Sequence, residues 1–255
     1  MTERWRLEKE VELRATPEQV WEAVSTAPGM STWFVPHEIG EDGQPFGDFG
    51  GGNTQGGTIL AWEPGRRVVY GAPGSESEES APFALEFLVE GREGGTTVLR
   101  LVQSGFFDGE SWEDEYEGTS KGWAIFFHNL AQYFEFFAGL PVTGVVAMSI
   151  TTLDTETLWA MFYRELGVPA AVAVGDRVKL TPTGLDAISG VVDIRGDGVL
   201  GVRTDNALYR FSGRAAYGHG MVQATHYFYG VDMDRAEATA AWQGWLERLF
   251  VAQPG

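Results

Sequence analysis

Residues 15–23, Ala-Thr-Pro-Glu-Gln-Val-Trp-Glu-Ala, contain the clearest folding signal of this 255-residue chain. Thr16 is a preferred helix N-cap, and Pro17 suits the first helical position because its missing N–H is not needed there. Gln19 stands three residues after Thr16, the spacing of a capping box. We therefore predict a helix here. It is entered from a strand over Arg6–Leu13, in which apolar and charged residues roughly alternate.

Beyond this helix the pattern changes to strands and then to one long helix. Trp and Phe side chains recur at helical spacing over Thr119–Gly139, which predicts an amphipathic helix with an aromatic face. The expected class is α+β, with an antiparallel sheet packed against this last helix. The four strands predicted between the helices cover Thr58–Trp62, Arg67–Ala72, Phe83–Glu90 and Thr96–Ser104.

The second half of the chain repeats this order of elements more weakly. Pro141 marks the predicted boundary, which gives domains at residues 1–140 and 141–255. A strand over Val145–Thr151 is followed by a helix over Leu153–Leu166. Several short strands then lead to a terminal helix over Asp234–Val251. The repetition lies in the order of elements rather than in the residues, and it predicts a duplicated α+β unit.

Several blocks of the first half occur together in the order typical of one known family. They are residues 15–23, Trp33-Phe34, residues 62–70, residues 95–106, Gly122-Trp123, Leu130 and residues 133–135. With these blocks the first half resembles the START-like (SRPBCC, helix-grip) superfamily, in the branch of the activator of heat-shock protein ATPase homologues. The resemblance implies a curved antiparallel sheet that grips a long C-terminal helix and encloses a cavity. From the order of elements we predict that residues 141–255 are a diverged START-like repeat, although they lack a Trp-Phe pair and a Ser-Gly-Phe turn.

Composition limits the partners that such a protein can have. The formal net charge is −18, and residues 1–140 hold 24 acidic against 9 basic side chains, a balance of −15. A surface this acidic repels phosphate backbones and anionic lipids, so we expect neither nucleic acid nor membrane as partner. The chain has no cysteine, which fits a cytoplasmic location.

Motifs for metals and cofactors are weak. The four histidines His37, His128, His219 and His226 lack the spacing of a metal site, so we predict no metal. The glycine-rich stretch Gly47–Gly57 has no lysine and leads into a strand instead of a helix. We therefore predict a hairpin rather than a phosphate loop, and no cofactor.

The aromatic residues of the first half either form a solid core or line the cavity that the resemblance implies. On the second interpretation, this domain encloses a hydrophobic or aromatic small molecule between sheet and C-terminal helix. Gln103 and Ser104 would then be the few polar groups that orient the ligand. The predicted apolar walls are Trp33, Tyr70, Phe87, Phe106, Trp123 and Phe127.

Two other functions stay open at this point. The acidic run Asp108–Glu117 would suit a protein-interaction module similar to the chaperone ATPase activators, with the run facing a cationic partner. The superfamily also includes cyclase-like and hydratase-like enzymes, in which a pocket residue moves a proton. No acid–base pair can be named from the sequence, so the catalytic residues of such an enzyme remain unknown and enzymatic activity stays undecided.

Overall fold

The computed structural model describes residues 4–41, 43–78, 80–106, 112–196, 198–216 and 219–250. Its internal contacts divide the chain into two units. Unit 1 comprises Met1–Gly47 and Thr54–Gly139, and unit 2 comprises Asp48–Asn53 and Leu140–Gly255. No helix in the described part of the chain is long and apolar enough to cross a membrane.

Unit 1 is built around a five-stranded antiparallel sheet with the strand order β1-β8-β7-β6-β5, and a second, three-stranded sheet has the order β2-β3-β4. One long helix follows the last strand and ends in a π-helical turn at Tyr133–Phe137. The elements are β1 (Arg4–Leu13), α1 (Pro17–Ser25), α2 (Ala27–Ser31), β2 (His37–Ile39), β3 (Pro45–Asp48), β4 (Thr54–Gly56), β5 (Thr58–Glu63), β6 (Arg67–Gly71), β7 (Phe83–Gly91), β8 (Thr97–Phe106) and α3 (Trp112–Gln132).

The predicted start of α1 is confirmed in detail. The hydroxyl of Thr16 accepts a hydrogen bond from the backbone N–H of Gln19, and the side chain of Gln19 accepts one from the N–H of Thr16. These two bonds form the capping box, and Pro17 occupies the first turn. A Cβ atom at Gly29 would lie 2.0 Å from the carbonyl oxygen of Glu22, so only glycine allows α2 to approach α1 this closely.

The five-stranded sheet has two distinct faces. We call the face that carries Leu7, Phe87, Leu101 and Gln103 the inner face, since these residues stand opposite one another across β1, β8 and β7. All four side chains are buried. The opposite, outer face carries charged residues on these strands, and on the neighbouring strand β6 Val69 belongs to a small apolar cluster with Ala81 and Ala84.

Helix α3 begins earlier than the sequence predicts. The predicted start was Thr119, whereas the helix starts at Trp112 and takes in the second part of the acidic run Asp108–Glu117. Acidic residues favour the positive N-terminal end of a helix, which is consistent with a helix start within the run. Residues 107–111, the first part of the run, lie outside the described residues.

Unit 2 repeats the order strand, helix, antiparallel strands, terminal helix, which fits the predicted tandem α+β arrangement. Its six strands form one antiparallel sheet with the order β10-β11-β12-β13-β14-β9. The elements are β9 (Val142–Thr151), α4 (Thr155–Leu166), β10 (Arg177–Leu180), β11 (Ile188–Gly196), β12 (Val199–Arg203), β13 (Ala207–Ala216), β14 (His219–Tyr229) and α5 (Arg235–Phe250).

The core of unit 2 lies between its sheet and its two helices. Phe162 of α4 stacks on Trp245 of α5 with ring centroids 6.0 Å apart, and Phe211 of β13 packs against both rings. Helix α4 starts at the N-cap Asp154 and ends at Gly167, whose left-handed backbone closes the helix. These contacts anchor both helices on one face of the sheet.

The glycine-rich stretch Gly47–Gly57 contributes residues to unit 2. It joins β3 to β4, as predicted for a hairpin, and its residues Asp48–Asn53 belong to unit 2. The carboxylate of Asp48 forms an ion pair with Arg235 at 2.7 Å. A Cβ atom at Gly50 would lie 2.9 Å from the Val146 side chain, so glycine is needed for this close approach.

Candidate functional site

Four of the predicted wall residues meet on the inner face of unit 1. Trp33, which follows α2, has its ring centroid 6.1 Å from Phe87 on β7. It also lies 6.5 Å from Trp123 and 6.3 Å from Phe127, both on α3. All four side chains are buried. Three separate elements therefore bring these aromatic rings into one cluster, which we call the aromatic cluster.

Tyr70 extends the aromatic cluster along β6. Its ring centroid lies 6.4 Å from that of Phe87. The Tyr70 hydroxyl donates a hydrogen bond of 2.9 Å to the carbonyl oxygen of Val24, at the end of α1. Burial raises the pKa of this phenol above its ordinary value, which keeps it neutral at physiological pH. The hydroxyl thus links the end of α1 to the sheet by a hydrogen bond, and the ring packs against Phe87 of the aromatic cluster.

Gln103 is the polar group within the aromatic cluster. Its side-chain oxygen accepts a hydrogen bond from the indole N–H of Trp123, and both side chains are buried. This bond fixes which end of the amide faces the indole. Within the described residues, the amide N–H groups of Gln103 donate to no protein acceptor. A primary amide has two donors, so the side chain retains hydrogen-bonding capacity that the protein does not use.

The sequence did not point to Asn129, which supports the aromatic cluster from α3. Asn129 is buried, and its side-chain nitrogen donates a hydrogen bond of 3.3 Å to the carbonyl oxygen of Trp33. The indole N–H of Trp33 in turn donates to the carbonyl oxygen of Ala23 at 2.8 Å. An asparagine between Phe127 and Leu130 in an apolar helix face was the available signal, because buried polar groups need partners.

Two predicted site residues do not join the aromatic cluster. Ser104 follows Gln103 directly on β8, so its side chain points to the outer face, where Ala84 and Arg6 are its neighbours. A role beside Gln103 in orienting one ligand is therefore not supported for Ser104. Phe106 ends β8, and its side chain lies outside the described residues.

His37 lies beside the aromatic cluster, next to Phe34. The two ring centroids are 5.4 Å apart, and Phe34 stacks on Trp123 at 5.2 Å. The Nδ1 atom of His37 is 2.7 Å from the carbonyl oxygen of Val35, which assigns the proton of the neutral ring to Nδ1. Burial lowers the pKa of His37, so the ring is neutral near pH 7.

Unit 2 contains a second buried histidine in an aromatic setting. His226 has no exposed surface, and its ring lies edge-on to Trp242 with centroids 4.2 Å apart. Tyr209 and Phe211 also flank it, at 5.0 and 5.2 Å. The backbone N–H of Arg210 donates to Nδ1, whereas Nε2 has no hydrogen-bond partner in the described part of the chain. Burial lowers the pKa of His226 from 6.5 to about 3.

No group of three or more His, Asp or Glu side chains among the described residues is arranged to hold a metal ion.

Unit 1 therefore has the helix-grip fold: an antiparallel sheet whose inner face packs against a long C-terminal helix through aromatic side chains. Residues 14–135 match the model of the family described as "Activator of Hsp90 ATPase homolog 1-like protein". This match confirms the family resemblance of the first half of the chain.

Solved structures with similar folds share little sequence with this chain. The Aha1 dimer from Colwellia psychrerythraea is 19% identical at a TM-score of 0.42, over 51% of this chain and 96% of that one. The di-domain ARO/CYC BexL from the BE-7585A biosynthetic pathway is 14% identical at a TM-score of 0.43, over 98% of this chain and 100% of that one. Such low TM-scores carry no weight for function. The search of curated proteins returned no match.

Proposed function

We propose that unit 1 binds a hydrophobic or aromatic small molecule on the inner face of its sheet, beneath α3. The observation that supports this most strongly is the unused amide of Gln103 within the aromatic cluster. The amide N–H groups of Gln103 have no protein acceptor among the described residues, and an acceptor on a ligand would satisfy them.

The surrounding surface supports the same proposal. Trp33, Phe87, Trp123 and Phe127 pack ring against ring, and the indole N–H groups of Trp33 and Trp123 already have protein acceptors. Binding would rest on apolar burial, at about 25 cal/mol per Å² of surface removed from water. The amide of Gln103 would add orientation rather than most of the affinity.

The proposal can be tested with the neutral fluorescent dye N-phenylnaphthylamine and a pair of matched variants on β7. Leu85 stands on the inner face opposite Gln103, and Leu88 stands on the outer face of the same strand. Leu85→Trp fills the space that a ligand would use, so the dye should bind at least about tenfold more weakly. Leu88→Trp should leave the dissociation constant within about twofold of the wild type.

Three results would overturn the proposal: no saturable dye binding by the wild type, equal binding by Leu85→Trp, or equal loss in both variants. Leu85→Trp could fail to fold, and Phe127→Leu then serves as second test because it removes volume instead of adding it. Phe127→Leu should weaken dye binding severalfold through lost ring contact. Unchanged affinity in a folded Phe127→Leu protein would also count against the site.

A further inference from the structure

Among the described inner-face residues of β1, β7 and β8, Lys9 is the one cation. Apolar and charged residues alternate along β1, and this alternation places Lys9 on the same face as Leu7 and Val11. Lys9 stands opposite Leu101 of β8, while Leu7 stands opposite Gln103. Lys9 and Gln103 are thus diagonal neighbours, which in antiparallel sheets lie about 7–8 Å apart.

Lys9 differs from the cations of the outer face. On that face Arg6 pairs with Glu8 at 2.5 Å, and Arg100 pairs with Glu10 at 2.8 Å. Lys9 has no carboxylate partner within the described residues, although the chain has a net charge of −18. Its half-buried side chain therefore has a long apolar stem on the inner face and an ammonium group with no carboxylate partner in the part of the chain that the structure describes.

The described inner-face residues of β1, β7 and β8 offer Lys9 no carboxylate. The amide N–H groups of Gln103 are unused by the described residues, and the central strands offer no carboxylate on this face. The inner positions of β1, β7 and β8 are Trp5, Leu7, Lys9, Val11, Leu13, Phe83, Leu85, Phe87, Val89, Gly91, Thr97, Leu99, Leu101, Gln103 and Gly105. This composition matches a ligand with an apolar body and an anionic oxygen.

We propose that the ligand of unit 1 carries an acidic group, a carboxylate or a comparable oxyanion, which Lys9 and the amide of Gln103 bind together. The inference rests on the proposed function of unit 1. The ammonium group would form a charge-assisted hydrogen bond with the oxyanion, and the amide would donate a second one. The aromatic cluster would hold the rest of the molecule.

The test compares two dyes that share one ring system, neutral N-phenylnaphthylamine and anionic anilinonaphthalene sulfonate. Lys9→Met retains the length of the stem and removes the charge. It should weaken binding of the sulfonate by about tenfold and change binding of the neutral dye by less than about twofold. Lys9→Arg keeps the positive charge, so it should bind the sulfonate about as tightly as the wild type does. Arg6→Met, which alters charge equally on the outer face of β1, should leave both dyes nearly unaffected.

The outcomes separate the two proposals. If the neutral dye does not bind the wild type, the proposed function fails and this inference fails with it. If the neutral dye binds and Lys9→Met leaves sulfonate binding unchanged, only the inference is wrong. Lys9 also lies on β1, an edge strand, where a charge can prevent strand pairing between molecules. Dimerisation of Lys9→Met with unchanged sulfonate binding would therefore assign Lys9 to edge protection and overturn the inference.

Discussion

Acidification should destabilise unit 2 through His226, whose neutral ring lies buried among aromatic side chains. The pKa of His226 is about 3 in the folded chain, against 6.5 for an ordinary histidine, chiefly because of burial. Between these values the unfolded chain is protonated at this residue and the folded chain is not. The free energy of unfolding therefore decreases as the pH falls, by about 1.4 kcal/mol per pH unit between these two pKa values. Between pH 7.5 and pH 4.5 the loss due to His226 is about 2.7 kcal/mol.

The variants His226→Phe and His226→Gln cannot titrate at this position, so each should lose this part of the pH dependence. Urea unfolding would be followed by hydrogen exchange of peptides from β13 and β14, which reports unit 2 separately. The free energy of unfolding of the wild type minus that of either variant should fall by about 2–3 kcal/mol over this pH range. The carboxylates of the chain titrate in every variant, so their contribution cancels in this difference.

One result would refute the reasoning on His226: a difference between wild type and variants that stays constant from pH 7.5 to pH 4.5. It would mean that the buried ring takes up a proton in the folded state near its ordinary pKa. The two variants also separate titration from packing. Phe retains an aromatic ring and Gln retains a polar side chain, so agreement between their pH slopes identifies the proton as the cause.

Three further predictions concern stability, measured by urea unfolding at neutral pH. Tyr70→Phe removes the hydroxyl bond to a buried carbonyl and should cost unit 1 about 1 kcal/mol; no change would place that carbonyl in water. Arg210→Met removes the guanidinium that pairs with the buried carboxylate of Asp193 and should cost unit 2 about 3–5 kcal/mol, whereas an exposed pair would cost under about 1 kcal/mol. Gly201→Ala places a methyl group 2.6 Å from the Arg210 guanidinium and should cost about 1–3 kcal/mol. Its control Gly196→Ala meets nothing closer than 3.7 Å and should be nearly neutral; equal losses would contradict the steric reason.

Local signals in the sequence predicted local structure well. The Thr16, Pro17 and Gln19 pattern specifies a helix start within a few residues, and both capping bonds are present. The aromatic spacing on α3 likewise predicted which side chains face the sheet, since helical periodicity alone decides the face. Trp123 and Phe127 accordingly lie in the aromatic cluster.

Contacts between distant residues could not be predicted in the same way. The Tyr70 hydroxyl bonds to Val24, and Asn129 bonds to Trp33, across long stretches of chain. Such pairings depend on the packing of elements, which periodicity does not report. Ser104 is a different case, because strand alternation was sufficient to place it on the face opposite to Gln103.

The buried state of His226 also depends on tertiary structure. A histidine in a strand is compatible with either face, and only the packing of α5 decides that Trp242 covers it. The unpaired Nε2 atom follows from that packing and has no signature in the sequence.

The most direct test of ligand binding by unit 1 is the indole N–H spectrum of the protein labelled with nitrogen-15. The chain has 9 tryptophans, and Trp123→Phe identifies the indole that donates to Gln103. Addition of N-phenylnaphthylamine should shift the resonances of Trp123 and Trp33 in a saturable manner and leave those of Trp242 and Trp245 in place. Saturable dye binding that leaves Trp123 and Trp33 unshifted would contradict a ligand site on the inner face.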